Sequence, residues 1–219
     1  GGHTNTITID VDGRQLPLDT GFIVHNEPNY PHLIRLFAEL GITTQPSEMS
    51  FSVSCAGCGL EYSGRRPFAQ ASNLASPRFY RLLYEITRFL RTAATSLERD
   101  ELAAQTLDEY VLARGYSRSF RNHFLIPLTA ALWSTAPSVA GEFPIEHAVR
   151  FFEHHGMLGF KRFAWRTVTG GSRVYVDRIA DQLGAGVRAG AAVRTVARGD
   201  TEAMLRLSDG SVEQFDTVV

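Results

Sequence analysis

Lysine is almost absent from this sequence of 219 residues, because Lys161 is the only one and arginine supplies nearly all of the positive charge. We interpret this as the coding bias of a GC-rich genome. The net charge is −1, so the sequence lacks the basic footprint of a protein that binds nucleic acid. It also has no apolar run long enough to span a bilayer and no secretory signal, so we expect a cytoplasmic protein without a stable membrane span.

Cysteine is scarce as well, since Cys55 and Cys58 are the only two and stand in a Cys-Ala-Gly-Cys segment. A structural zinc site needs more ligands, and no second cysteine pair exists. No βαβ pattern surrounds the pair, as a thioredoxin-like redox motif would require. We therefore interpret the segment as a hairpin turn and predict no metal site. We likewise interpret His154-His155 as a helix end, and His123 as a packed histidine.

The middle of the chain is predicted to be mostly helical, without repeats or a flexible linker. Helices are expected to begin near Asn29-Pro31, Ser76-Pro77, Thr106, Ser117 and Pro144. The helix after Ser76 has an apolar face that includes Phe79, Leu82 and Phe89, with Glu85 lying largely outside it. Pro127 should break or kink the helical run that begins at Ser117. A small sheet is predicted from residues 50–54 and 60–63, which flank the cysteine pair.

Strands dominate both ends of the chain. Residues 6–11 carry apolar side chains on one face, and Asp12-Gly13 is a hairpin turn signal. In the last third, strands are predicted over residues 163–169, 192–197, 203–207 and 212–215. Ser172 is expected to cap a helix between them. Residues 216–219 are expected to begin one more strand.

Two sets of motifs carry a resemblance to a known family. The first is Gly1-Gly2-His3-Thr4 with Asp19-Thr20-Gly21-Phe22. The second runs from Trp165-Arg166 through Gly170-Gly171-Ser172 to the Asp209-Gly210 turn and Phe215-Asp216. Together they resemble the FAD-dependent amine oxidase superfamily, and most closely its bacterial flavin-containing amine oxidoreductases. The resemblance covers nearly the whole chain.

The resemblance implies an α+β fold, in which a mostly helical substrate domain with a small antiparallel sheet is flanked by partial Rossmann-like elements that bind FAD. We expect the substrate domain over residues 26–162, and parts of the FAD domain over residues 1–25 and 163–219. The implied activity is hydride transfer from a small apolar substrate, such as an amine, a polyene or an acyl chain, to flavin N5. Such chemistry needs no Ser-His-Asp or paired-carboxylate signature, so the lack of these motifs excludes nothing. The electron acceptor and the oligomeric state stay open.

The family also implies positions for cofactor contacts. Residues lining the pyrophosphate or ribose, the flavin ring and the adenine end are expected to be Gly1, Gly2, His3, Thr4, Gly21, Phe22 and Val193. Trp165 and Arg166 are the candidates for the substrate or flavin face, since an aromatic ring beside a guanidinium can stack on a planar ring or bind an anion. A core Trp with a surface Arg is the alternative. Lys161 is similar to the flavin-proximal lysine of many amine oxidases, although its flanking residues do not match.

Two family segments are missing from the sequence as given. The Gly-x-Gly-x-x-Gly phosphate loop would precede Gly1, and the C-terminal FAD motif would follow Val219. We therefore expect a piece of a longer protein that is inactive alone and binds FAD weakly or not at all. The alternative is a degenerate relative, a non-catalytic binding or interaction domain that kept the substrate-domain fold and lost the cofactor.

Overall fold

The computed structural model describes residues 2–158 and 163–219. Its α-helices, numbered in chain order, are α1 (Pro31–Leu40), α2 (Pro77–Glu98), α3 (Leu107–Ala113), α4 (Arg118–Phe120), α5 (Ile126–Trp133), α6 (Ile145–His154) and α7 (Arg173–Leu183). Short 3₁₀ turns cover Ala71–Ala75, Ala140–Glu142 and Gly184–Gly186. Within the described residues, no helix is both long enough and apolar enough to cross a membrane.

Within residues 2–158 and 163–219, the strands pair into four small antiparallel sheets. They are β1 (Thr6–Val11), β2 (Arg14–Asp19), β3 (Thr44–Pro46), β4 (Ser52–Ser54), β5 (Glu61–Ser63), β6 (Arg166–Val168), β7 (Val193–Arg198), β8 (Ala203–Leu207) and β9 (Val212–Phe215). The sheets are β1-β2, β3-β6, β4-β5 and β7-β8-β9. The predicted Asp12-Gly13 turn is confirmed, because both residues adopt positive φ values, 53° and 78°, as the turn of a tight hairpin requires.

Most of the core lies among the helices around α2. Ser76 caps α2 and Pro77 occupies its first turn, as predicted. Phe89 is completely buried at the centre of this core. Five aromatic rings surround it, those of Tyr110, Tyr116, Phe120, Phe124 and Phe152. The capping box predicted at Thr106 is present, with Glu109 as its partner.

Glu85 was expected to lie largely outside the apolar face of α2, but it is buried. Its carboxylate accepts hydrogen bonds from the backbone N–H and the hydroxyl of Ser117. Ser117 is the N-cap of α4, so this buried charge is satisfied by the unpaired donors at a helix start. Arg81 lies 3.2 Å from the same carboxylate.

Pro127 was predicted to break or kink its helix, and no break is present. The chain passes from α4 through a π-helical turn, Arg121–Leu125, directly into α5. Pro127 has no N–H to donate to the carbonyl of His123, four residues earlier. The Tyr62 hydroxyl donates to that carbonyl at 2.6 Å, and the wider π-turn accommodates the proline within a continuous helical path.

A second cluster joins α1 to the last third of the chain. Its buried members are Phe37, Leu40, Val168 and Tyr175. The helix begins as expected at Pro31 and ends at Gly41, but Tyr30 rather than Asn29 is the N-cap. The Asn29 side chain donates instead to the carbonyl of His154. The helices and small antiparallel sheets agree with an α+β fold, whereas the domain boundaries stay predictions.

Two further details near the C-terminal end differ from the sequence-based expectation. The side chain of Ser172 makes no capping hydrogen bond to α7; it donates to Asp19 instead. Residues 216–219 form no strand. An apolar segment becomes a strand only where a neighbouring backbone pairs with it, and β9 pairs with β8 alone among the described strands.

Candidate functional site

The base of the β1-β2 hairpin meets the start of α7, so motif segments from both ends of the chain come together. The Asp19 carboxylate accepts hydrogen bonds from the Ser172 N–H and hydroxyl, each at 2.8 Å. The Thr6 hydroxyl donates to the same carboxylate at 2.6 Å and accepts from the Arg173 N–H at 2.9 Å. Asp19 therefore ties the hairpin to the Gly170-Gly171-Ser172 segment.

Two glycines at this junction lie where a Cβ atom would clash, with a backbone carbonyl at Gly21 and with the Thr6 side chain at Gly171. The Phe22 N–H donates to the carbonyl of His3 at 2.7 Å. A Cβ atom on Gly21 would lie only 2.0 Å from that carbonyl oxygen, so any side chain at position 21 would force the two segments apart. Gly171 has φ +94°, and its Cβ would lie 2.6 Å from Cγ2 of Thr6.

The first residues of the chain form an exposed corner beside this junction. Gly2 has φ +60°, and no atom lies within 4 Å of its missing Cβ. His3 is exposed. Thr4 is anchored to α7, because its hydroxyl lies 2.6 Å from the Tyr175 hydroxyl. The backbone of Gly2 and His3 is therefore exposed, whereas Thr4 is fixed to the rest of the protein. Gly1 lies outside the described residues.

A row of aromatic rings leads from this junction to the helical body. The ring of Phe22 packs edge-on against Tyr30 at 5.8 Å, and Tyr30 packs against His155 at 6.5 Å. The His155 ring is parallel to Trp165 at a centroid distance of 6.3 Å and stacks on Phe151 at 3.8 Å. Phe22 and Trp165, both predicted from the sequence, are therefore connected through Tyr30 and His155.

The aromatic row borders an open cleft of about 650 Å³. Aromatic groups and a polar rim line it, namely Pro28, Asn29, His147, Arg150, Phe151, Glu153, His154, His155 and Phe163. Burial lowers the pKa of His155, an effect that the hydrogen bond to the Phe151 carbonyl partly opposes. His155 confirms the predicted helix end, since it is the C-cap of α6, but its place in this row was not expected.

The Arg166 side chain makes hydrogen bonds within the protein. Its guanidinium donates to the hydroxyl and to the carbonyl of Thr44, each at 2.7 Å. Its backbone pairs with His25 through two hydrogen bonds of 2.9 Å. The proposed role of Arg166 toward substrate or flavin is untested and stays a prediction.

Val193 is not part of this junction, and Lys161 cannot be placed relative to it. Val193 begins β7, in a sheet that pairs with neither the hairpin nor β6, and it is half exposed. Lys161 lies outside the described residues. Their roles therefore also stay predictions.

His25 makes the stability of this region sensitive to acid. It is fully buried, and neither ring nitrogen has a hydrogen-bond partner within residues 2–158 and 163–219. Burial, and secondly the charge of Arg166, lower its pKa from the ordinary 6.5, against a weaker opposite effect of Glu27. As pH falls, the unfolded chain therefore binds a proton at His25 before the folded protein does. The contribution of neutral His25 to the free energy of unfolding is complete above the pKa of the unfolded chain and is lost as the pH falls toward the lower pKa of the folded protein.

We expect the melting temperature to fall as the pH drops from neutral to below about 6.5, the ordinary pKa of histidine, and the His25→Phe variant to flatten that decline. Melting curves across this range test the expectation, with His32→Phe as a control because His32 is exposed. Equal pH slopes for wild type and His25→Phe would contradict it.

Comparison with known proteins places these features in a family. The sequence pattern described as flavin containing amine oxidoreductase matches residues 1–219. Putrescine oxidase, solved with putrescine bound, superposes with a TM-score of 0.63 and 21% identity, covering 97% of this chain and 48% of that chain. Cyclohexylamine oxidase from Brevibacterium oxydans gives a TM-score of 0.61 and 19% identity, over 96% and 48% of the two chains. No curated protein sequence matches the chain.

At these identities the solved structures establish the fold alone. The chain spans about half the length of the solved oxidases that it matches. Its helices and small antiparallel sheets correspond to part of that fold.

Proposed function

The chain belongs to the flavin-containing amine oxidoreductase family, and we propose that it forms part of an FAD-dependent oxidoreductase acting on a small apolar substrate. The observation that supports this best is the meeting of the Gly2–Thr4, Asp19–Phe22 and Gly170–Ser172 segments at one junction. The Gly170–Ser172 segment lies far from the other two in the sequence, and each of the three carries a motif of the family.

The junction fits a flavin nucleotide in two respects. Gly2 and His3 offer exposed backbone without a nearby side chain, and glycine backbone of this kind admits close approach of phosphate oxygens. Phe22 and Tyr30 place aromatic edges beside it, which suits a planar ring. The proposed cofactor contacts are Gly1, Gly2, His3, Thr4, Gly21, Phe22 and Val193.

When bound, FAD would accept a hydride at N5, which is the chemistry that the protein itself does not supply. The chain's own contribution is to hold and orient the substrate. Phe151 and Phe163 give the cleft apolar walls, and its lowered pKa keeps the His155 ring neutral there. Trp165, half buried and parallel to His155, extends the same wall. An amine, a polyene or an acyl chain would each present an apolar body to these rings.

The complete cofactor site is proposed to need more than this chain. Because the chain covers about half of the solved oxidases, we propose that the isolated chain binds FAD weakly or not at all and is inactive. A helix N-terminus that cradles the pyrophosphate would have to come from another segment. A bacterial source and a cytoplasmic location stay predictions.

The Trp165→Ala variant tests the substrate side of this proposal. In the protein encoded by the complete gene, anaerobic mixing with amines, polyenes or acyl substrates should bleach the flavin absorbance. Trp165→Ala should slow that bleaching roughly two- to tenfold at low substrate concentration, since one aromatic contact contributes about 0.5–1.5 kcal/mol. The flavin content should not change.

The matched control is Tyr84→Ala, which removes an exposed aromatic ring from α2. Its bleaching rate should equal that of the wild type. If Trp165→Ala also reacts at the wild-type rate with every accepted substrate, Trp165 has no part in the substrate wall.

A further inference from the structure

Two cysteines and a histidine that the junction does not use lie close together, the cysteines in the turn between β4 and β5 and the histidine in the π-helical turn Arg121–Leu125. The ligand atoms of Cys55, Cys58 and His123 all lie within 4.8 Å of one another. Cys58 Sγ is 3.3 Å from His123 Nε2. The third ligand comes from a helix that follows the cysteines by more than sixty residues, so the Cys-Ala-Gly-Cys spacing alone did not reveal the cluster.

The β4-β5 hairpin holds both thiols on one side of its turn. The Cys55 N–H donates to the Leu60 carbonyl at 2.9 Å, and the Gly59 N–H donates to the Cys55 carbonyl at 2.8 Å. Gly59 adopts φ 70°, a left-handed conformation that lets the chain turn back directly after Cys58. A turn of this kind is the usual way in which a Cys-x-x-Cys pair presents two sulfur ligands to one metal ion.

His123 is positioned for the same point from the π-helical turn between α4 and α5. Its Nδ1 lies 3.3 Å from the Ser119 hydroxyl, which leaves Nε2 toward Cys58. Metal-bound histidines ordinarily have the second ring nitrogen held by such a partner. The Tyr62 hydroxyl, donating to the His123 carbonyl at 2.6 Å, ties this turn to β5. π-turns are frequent at functional sites.

We propose that Cys55, Cys58 and His123 bind a Zn²⁺ ion through two thiolates and Nε2. Zn–S bonds of about 2.3 Å and Zn–N bonds of about 2.0–2.1 Å in a tetrahedral arrangement place the ligand atoms roughly 3.5–3.8 Å apart. The observed separations reach that arrangement by small side-chain rotations. Binding releases the two thiol protons to solvent.

The ligand set selects the metal and leaves one position open. Two thiolates and an imidazole suit Zn²⁺ better than Mg²⁺ or Ca²⁺, which prefer oxygen. Cys58 is exposed, and a cleft of about 680 Å³ reaches Cys55 and His123, so water can fill the fourth position. The ion would fasten the β4-β5 hairpin to the helical body.

Cobalt titration of the purified, fully reduced chain tests this site. One Co²⁺ per chain should bind, with a thiolate-to-cobalt charge-transfer band and the visible bands of tetrahedral Co²⁺, and Zn²⁺ should displace it. His123→Gln should weaken binding roughly 100-fold or more, because even the partners of metal ligands contribute about 10–100-fold. His32→Gln, an exposed histidine on α1, should bind as the wild type does.

A second measurement keeps the proposal testable if a variant fails to fold. Zn²⁺ should protect Cys55 and Cys58 of the wild-type chain from alkylation by iodoacetamide, as read by mass spectrometry. The proposal is overturned by equal alkylation rates with and without Zn²⁺, by the absence of a charge-transfer band, or by unchanged affinity in folded His123→Gln. Recovery of a Cys55–Cys58 disulfide without bound metal under the same reducing conditions would also overturn it, in favour of a redox pair.

Discussion

The Gly21→Ala variant is expected to lose about 3 kcal/mol or more of its free energy of unfolding. The added Cβ would lie 2.0 Å from the backbone carbonyl oxygen of His3. That oxygen cannot swing away as a flexible side chain would, because it accepts the Phe22 N–H at 2.7 Å. The hairpin base must therefore open, which breaks this bond and shifts the segment that Asp19 ties to Ser172.

Thermal unfolding measures this loss as a fall in melting temperature of roughly 6–12 °C. Gly186→Ala is the matched control, because Gly186 has no atom within 4 Å of its missing Cβ and no left-handed φ. It should melt close to the wild type. If Gly21→Ala has the same melting temperature as Gly186→Ala, the two motif segments do not approach as closely as described.

The Phe89→Ala variant should lose about 3–5 kcal/mol, which is typical for deleting a buried phenyl ring. Phe89 is completely buried, and five aromatic rings lie around it with centroids between 5.6 and 6.4 Å away. Several rigid rings cannot all collapse into the space that one ring leaves, so a cavity should remain. The expected fall in melting temperature is roughly 10 °C or more.

Tyr84→Ala is the control on the same helix, since Tyr84 is 65% exposed and its loss should change stability by no more than about 0.5 kcal/mol. Equal melting temperatures for Phe89→Ala and this control would show that the helical core does not centre on α2.

Local signals predicted the elements well. The Asp12-Gly13 turn, the Ser76 cap and the Thr106 capping box depend on residues only a few positions apart. Their chemistry is complete within one turn, so the sequence displays all of it. Asp19 and Gly21 of the family motifs lie within the segments that meet at the junction, whereas the predicted cofactor contacts of these segments stay predictions.

Contacts between distant segments were not predictable in the same way. Pro127 was expected to break or kink the helix because it has no N–H to donate. The Tyr62 hydroxyl that donates to the freed carbonyl comes from another part of the fold, so the sequence around Pro127 gives no sign of it. Glu85 was expected to lie largely outside the apolar face of α2, because the spacing of residues within that helix gives no sign of its hydrogen-bond partner Ser117. The aromatic row through Tyr30 and His155 depends on packing between segments that share no motif.

The visible absorption spectrum of the protein encoded by the complete gene, purified and freed of unbound flavin, decides whether this chain is part of a flavoprotein. We predict flavin bands with about one FAD per chain, and a colourless sample for the isolated 219-residue chain. A complete protein that stays colourless after FAD is added and the excess removed would contradict the account. That result would support the alternative, a binding domain that has kept the family fold without the cofactor.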